Sequence, residues 1–288
     1  MSRTAEDFVV SDKEAWRRSF RRDRRRKSTL VAILSTIAFA VVVWLGATHA
    51  PGWTSARETF LSGHQFRHDT PDILRGLLID LKLLVICEPC ILLLAVVIAT
   101  LRTSVSPVLA PVRIGCALYV DLFRGCPMII LLYLFAEGIP SLRLHHVTNS
   151  ALVWGGVAII VSYSAYVTEV MRSGIQSVHP SQRAAARSLG LTQRQTLRLV
   201  VLPQAVRNVI PALLNDFVAL QKDVGLISIV GAVADAIQTA TADNDASFNF
   251  TPFVIAAILF ILLAAPSGRF ADYYARRALR RQQAGVVV

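Results

Sequence analysis

The chain has 288 residues, 54% of them hydrophobic and only 17% charged, with a mean hydropathy of +0.51. Such a composition lies outside the soluble range and identifies an integral membrane protein. The net charge of +11 would suit nucleic acid, but where the arginines fall relative to the apolar segments gives a sufficient reason for them, and nucleic acid is excluded as a partner.

Ser28 to Thr48 is an uncharged run of 21 residues, close to the ~20 that a helix needs to cross the hydrocarbon core. Its apolar part exceeds a signal-peptide core, and Thr48-His49-Ala50-Pro51 is a poor cleavage site because of the proline, so it reads as an uncleaved first span. Five more spans are expected at about Leu77–Leu101, Gly115–Phe135, Ala151–Met171, Val206–Val230 and Thr251–Ala265. His68-Asp69-Thr70-Pro71-Asp72 before the second and Thr103-Ser104-Val105-Ser106-Pro107 after it read as loops.

Six crossings bring residues 1–28, 101–113, 172–207 and 268–288 to one face, and these hold 23 of the 30 basic residues. The positive-inside rule makes that face, with both termini, cytoplasmic, and its charge suits anionic lipid headgroups. The last opposite loop, Ile237 to Phe250, carries Asp243 and Asp245 with no basic residue.

Cys87-Glu88-Pro89-Cys90 has redox or zinc spacing, but it lies inside an apolar span with no second pair and reads as structural. His145 and His146 lack neighbouring carboxylates, so no metal is expected there. No catalytic constellation stands out and no phosphate-binding Gly-rich loop with Lys-Ser/Thr occurs, so the chain is not read as an enzyme and binds no ATP by such a loop.

The loop between the fourth and fifth spans is long and well punctuated. His179-Pro180-Ser181 opens a short helix, with Ser181 as the expected N-cap and Gly190 ending it in the left-handed conformation. Thr192 and Gln195 form a capping box for a second short helix, expected to close near Pro203. Two short helices joined at a glycine make a stiff knob suited to docking in a partner's groove.

Ala184-Ala185-Ala186-Arg187, then Gly190, then Leu202-Pro203 resemble the EAA loop of permease subunits of ATP-binding-cassette (ABC) importers, in the polar amino acid branch (histidine, glutamine or arginine type). Asp121-Leu-Phe-Arg-Gly-Cys-Pro127 resembles that branch's E-x-F-R-G-T-P, marking Arg124, Gly125 and Pro127 as structural. Leu202-Pro-Gln-Ala205 with Pro211, Ser164-Ala-Tyr-Val-Thr-Glu169, Arg172-Ser-Gly-Ile-Gln176 and Lys222-Asp223 match further motifs in order, so the resemblance covers about 72–280. Departures are Ala184 for the Glu of EAA, Cys126 for Thr, Leu131 for a frequent Gln, and Val224-Gly225 for Thr-Ser.

The resemblance implies an all-α integral membrane protein, a helical bundle with a five-span permease core and one extra N-terminal span. The expected organisation is a basic cytoplasmic segment 1–28, the extra span 29–48, the permease domain 72–280 with its EAA loop at 172–207, and a cytoplasmic tail 281–288. The implied partners are two ABC ATPase subunits, a second permease subunit as homo- or heterodimer, and an extracytoplasmic substrate-binding protein. No cofactor is expected on this chain; ATP and Mg belong to the ATPase. The expected place is the cytoplasmic (inner) membrane of a bacterium, and the expected cargo a polar amino acid, with an opine or organic cation as the alternative within the class. An autonomous ion-coupled carrier and a membrane enzyme are the rivals outside it.

Ionisable residues within spans need a partner or a water-filled path. Lys82 is expected near Asp80 or Glu88. On the fifth span Asn215, Asp216, Ala219, Lys222 and Asp223 share one face, which either lines a route between two subunits or makes a buried helix contact. Glu169 and Arg172, at the inner mouth, are either a gate or a helix-end anchor.

Overall fold

The computed structural model describes residues 12–103, 107–231 and 233–284, with side chains described over 27–103, 107–231 and 233–277. Residues 1–11 of the N-terminal segment, 285–288 of the tail and 104–106 of the loop after the second span lie outside the described residues. Among the described residues all regular structure is helical: α1 (Asp12–Thr48), α2 (Trp53–Phe60), α3 (Gly63–Thr103), α4 (Ala110–Gly125), α5 (Met128–Leu132), α6 (Ile139–Ser141), α7 (Ala151–Gln176), α8 (Pro180–Ser188), α9 (Gln193–Thr196), α10 (Leu202–Asp223), α11 (Ala236–Ser247) and α12 (Thr251–Ala284).

The chain divides into two compact units, residues 1–58 and 59–288. The first is dominated by α1, whose apolar part, Lys27–Thr48, is long enough to cross a membrane. Every residue from Lys27 to Gly46 is exposed.

In the second unit α3, α7 and α10 form the centre. Leu84, Cys87 and Ile91 of α3, Ile159 and Val167 of α7 and Leu220 of α10 are buried together. Because lipid is as apolar as these side chains, close packing holds the bundle rather than escape from water. Gly174 shows how close: a Cβ there would lie 2.0 Å from Val209 Cγ1 and 3.2 Å from the Ala205 carbonyl, so α7 and α10 nearly touch backbones. Ile73 and Leu77 of α3 pack with Ala236 and Ala240 of α11 and with Ile255 and Ala256 of α12.

Among the described residues five helices are long and apolar enough to span, and a bent pair adds a sixth if it crosses as one. That pair corrects the expected third span, Gly115–Phe135. α4 ends at Gly125, Cys126 is extended, and the chain turns by 107° into Met128–Ser141. Pro127 sets the turn, since it disfavours helix at the residue before it. α5 and α6 are joined by a π-helical stretch, Tyr133–Gly138.

Other boundaries move outward. His68 to Asp72 is helix, not loop: α3 runs through Pro71 because its start at Gly63 gives the bundle a further four turns to pack against α11 and α12. The last opposite loop contains a helix, α11, capped by Asp235, whose side chain accepts from the Gln238 N–H. α12 extends far past Ala265, and its candidate span reaches Arg277.

Candidate functional site

The basic loop is built on the lower end of α7. His179, not Ser181, caps α8, because its Nδ1 accepts the Ser181 N–H at 3.2 Å while the Ser181 hydroxyl lies 2.7 Å from the same nitrogen. At the other end Gly190 N–H donates to the Arg187 carbonyl and Leu191 N–H to the Ala186 carbonyl, the paired bonds of a Schellman close. Gly190 has φ +84° as that motif requires. The capping box forms as expected, with Gln195 N–H on Thr192 Oγ1 at 3.3 Å and Thr192 N–H on Gln195 Oε1 at 2.9 Å.

The second short helix does not close near Pro203. α9 runs through a π-helical stretch, Leu197–Val201, into α10, giving a candidate span of Gln193–Val230 that ends in a 3-10 segment, Val224–Val230. Pro203 follows directly on the π-helical stretch, whose wider turn, with Leu202 N–H donating to the Leu197 carbonyl, accommodates the ring inside a continuous helix. The loop is thus one short helix leaning on the foot of a long one, with Val178, just before α8, buried against Val201 and Ala205. Asn208 Nδ2 donates to Ser177 Oγ at 2.9 Å.

Within the loop Ala186 is buried, while Ala184, Ala185, Arg187, Gly190, Leu202 and Pro203 are exposed. Leu189 at 83% and Leu199 at 61% are conspicuously exposed for leucines. Arg183 turns inward, its Nη2 donating to the Ile175 carbonyl at 2.5 Å at the end of α7. It ties the loop to its base rather than offering charge outward.

Glu169 and Arg172 join a third residue that the sequence reading missed. Arg102, from the end of α3, donates to Glu169 Oε2 at 3.2 Å, and Arg172 Nε donates to the same oxygen at 2.9 Å; Arg172 Nη2 also bonds Oε1. Arg102 was counted only as topology; its place in the last turn of an apolar span was the available signal. Arg124, also near Glu169, stands 5.6 Å over the Tyr166 ring, and the Tyr166 hydroxyl donates to the Arg124 carbonyl at 3.1 Å. Gly125 and Pro127 flank the bend that follows.

On α10, Asn215 and Lys222 are exposed, Asp216, Ala219 and Asp223 half-buried. Tyr163 of α7 donates to Asp223 Oδ2 at 2.6 Å. Asp216 Oδ2 is buried without a hydrogen-bond partner, and the group lies near Glu88 and Tyr163. Lys82 is exposed, so the expected neighbour of Asp80 is replaced: Asp80 Oδ2 accepts the Ala236 N–H at 3.3 Å, at the start of α11. Beside it, burial pushes the Asp235 carboxyl up to about 6, against the pull of backbone N–H groups of Gln238, Ile237 and Ser228.

A helical bundle with polar groups kept at membrane depth, a re-bent span and a stiffened loop at one end has the build of a membrane transport component. The chain belongs to the family described as "Binding-protein-dependent transport system inner membrane component", which it matches over residues 89–280. It is 29% identical over 195 residues to the arginine transport system permease protein ArtQ of Bacillus subtilis, covering 67% of this chain and 86% of that one. It is 30% identical over 213 residues to the glutamate/aspartate import permease protein GltK of Escherichia coli, covering 72% and 93%. It spans half the length of another relative, the inner membrane amino-acid ABC transporter permease protein YhdY of Escherichia coli, at 32% identity over 63% of this chain. Among solved structures, an amino acid ABC transporter crystallised with histidines superimposes with a TM-score of 0.67 at 30% identity, over 76% of this chain and 98% of that one. The MetNI methionine ABC transporter, at 17% identity and a TM-score of 0.57 over 72% and 95%, shares the fold. The chain is therefore a permease component of the inner membrane, not the ATP-hydrolysing part of its system.

Proposed function

We propose that this chain imports a polar amino acid, paired with a second permease subunit and driven by two ABC ATPase subunits that use ATP and Mg. An extracytoplasmic binding protein delivers the cargo. The observation that carries the reading is the exposure of Asn215 and Lys222 on an apolar span. In lipid a lysine at such depth costs roughly 2.5 to 3.5 kcal/mol, so this face belongs against a second subunit and the water-filled route between the two. Asp216 and Asp223 line the same route, and Glu169 with Arg172 stands at its inner mouth.

The loop of 172–207 is the ATPase contact. α8 presents Ala184, Ala185 and Arg187 outward, with Leu189 beside Gly190, while Leu202 and Pro203 stand at the foot of α10. Both termini are cytoplasmic in this reading, as is the loop, which the distribution of 23 of 30 basic residues supports. The organisation into 1–28, 29–48, 72–280 and 281–288 follows from the same orientation.

The test is Gly190→Val in reconstituted complexes. A β-branched residue at φ +84° carries roughly 1 to 3 kcal/mol of strain, enough to displace α8 while leaving the spans to insert. The variant is expected to lose its ATPase subunit in pull-down and to lose substrate-stimulated ATP turnover. Full retention and stimulation would reduce the loop to an orientation signal. Single cysteines at Arg194 and Ala246, in a background lacking the native four, are expected to label from inside and outside respectively.

A further inference from the structure

Ahead of its apolar part, α3 carries two histidines four residues apart. The helix is 41 residues long, about 61 Å, roughly twice the ~30 Å hydrocarbon thickness. Its last turn holds Arg102 on Glu169, near the foot of α7, so its first turns stand at the opposite end of the bundle. His64 and His68 precede Leu77, where the apolar run begins, by about 20 and 14 Å of helix. Both are exposed.

Residues four apart share one side of a helix, and the two imidazoles stack with ring centres 6.0 Å apart and planes within 11°. Each Nδ1 is held by an oxygen: that of His64 by Gln65 Oε1 at 3.1 Å, that of His68 by Asp69 Oδ1 at 2.7 Å. Amide and carboxylate oxygens only accept, so both Nδ1 atoms carry a proton. In the neutral imidazole the free lone pair is then on Nε2. Among the described residues neither Nε2 has a hydrogen-bond partner. An ion about 2.0 to 2.1 Å from each Nε2 sits roughly 3 Å from each ring centre. Centres 6.0 Å apart therefore reach one ion with a small rotation of the exposed rings.

Asp69 gives this pair its second support. It is only 3% exposed, and its Oδ2 has no hydrogen-bond partner among the described residues. Burying a carboxylate is costly unless a charge answers it. Metal-binding histidines usually hand their other N–H to a carboxylate, which fixes the ring and makes it a better ligand. Asp243 of α11 and Asp72 bring further negative charge near His68, although Arg75 takes part of Asp72. Pro71, inside α3, lacks the N–H that would bond the Arg67 carbonyl. The turns before it are thus loosely held, and an ion across His64 and His68 would staple them.

We propose that His64 and His68 bind one first-row divalent cation of the zinc, copper or nickel kind through their Nε2 atoms, with Asp69 as the positioning residue behind His68. Imidazole suits these ions, whereas magnesium and calcium take oxygen ligands. Among the described residues no group of three or more His, Cys, Asp or Glu is placed to hold a metal, so the chain supplies two ligands and water completes the shell. The inference is independent of cargo and ATPase coupling.

The test uses the untagged full chain in detergent, in a background lacking the native four cysteines, titrated with Zn2+ against a chromogenic chelator. His64→Gln and His68→Gln are each expected to lower affinity at least about tenfold, and Asp69→Asn about tenfold with the stoichiometry kept. His145→Gln with His146→Gln is expected to change nothing. With Cu2+ as the probe, electron paramagnetic resonance is expected to show two imidazole nitrogens in the parent and one in either histidine variant. Equal affinity in the parent and both histidine variants would overturn the site, and full affinity in Asp69→Asn would overturn the positioning role. If a variant fails to fold, the parent decides through modification by diethyl pyrocarbonate. Zn2+ is expected to protect His64 and His68 and to leave His49 and His179 reactive; no protection at His64 and His68 would overturn the proposal.

Discussion

α7 and α10 run side by side through the bundle with similar numbers of polar side chains, and they differ in a few that α10 leaves open. Along α7 the polar groups end on partners within the chain: Tyr163 on Asp223, Ser164 on Tyr119 at 2.7 Å, Thr168 on the Ser164 carbonyl, and Glu169 on Arg102 and Arg172. Along α10, Gln204, Asn208, Gln221 and Asp223 also find partners, but Asn215 and Lys222 face outward and Asp216 keeps one buried oxygen unbonded. A helix whose polar groups are saturated internally is scaffold. Open polar groups on an apolar helix are what the proposed route between two subunits requires, because lipid satisfies no hydrogen bond.

The sharpest way to break this contrast is Gly174→Leu, where the two helices meet. With Val209 Cγ1 already 2.0 Å from the position of a Cβ, overpacking is expected to cost about 3 kcal/mol or more and to abolish monodisperse protein after mild heating. Wild-type thermal stability would show that the helices are free to separate.

Next in size is Glu169→Ala. Removing it leaves Arg102 and Arg172 facing each other, and because these groups are partly exposed the usual 3 to 5 kcal/mol for a buried pair falls to about 1 to 2. Arg102→Leu together with Glu169→Leu is expected to recover part of the loss, measured as apparent Tm in detergent. An unchanged Tm in Glu169→Ala would place this cluster with the open groups of α10.

Tyr163→Phe removes one donor to Asp223 and is expected to cost about 1 kcal/mol, read by the same assay. A larger loss would make Asp223 part of the scaffold rather than of the route.

The smallest stability effects are expected on α10 itself. Asn215→Leu and Lys222→Met are expected to change the stability of the isolated chain by no more than about 0.5 kcal/mol, while transport of labelled amino acid falls and assembled complex stays constant. Loss of the complex without loss of the chain's own stability would make the face a pure subunit contact.

Much of this was legible in residues. The apolar runs marked six crossings, and Gly190 with Thr192 and Gln195 marked the loop's turn and cap, because left-handed glycines and capping boxes are local chemistry. What was missed is long-range. Pro71 suggested a loop, yet α3 continues through it because packing on α11 and α12 outweighs a local preference. Pro203 suggested an end, yet the helix runs on through it, because the π-helical turn just before it makes room for the ring. Pro127 was the readable signal for the 107° bend, since a proline after Gly125-Cys126 ends a helix more often than it continues one. The Arg102–Glu169 pair joins residues 67 apart, a separation at which only the fold brings charges together.

The unbroken passage from α9 into α10 turns the near-contact of Gly174 with Val209 into a pivot. From Gln193 to Val209 the rod measures about 24 Å, and from Val209 to Lys222 about 20 Å, at 1.5 Å per residue. The arms are nearly equal. A tilt of about 5° about that point, with the rod held rigid, would move either end by about 2 Å in opposite directions, so a displacement applied at the loop would return at Lys222 with its size nearly kept and its sign reversed.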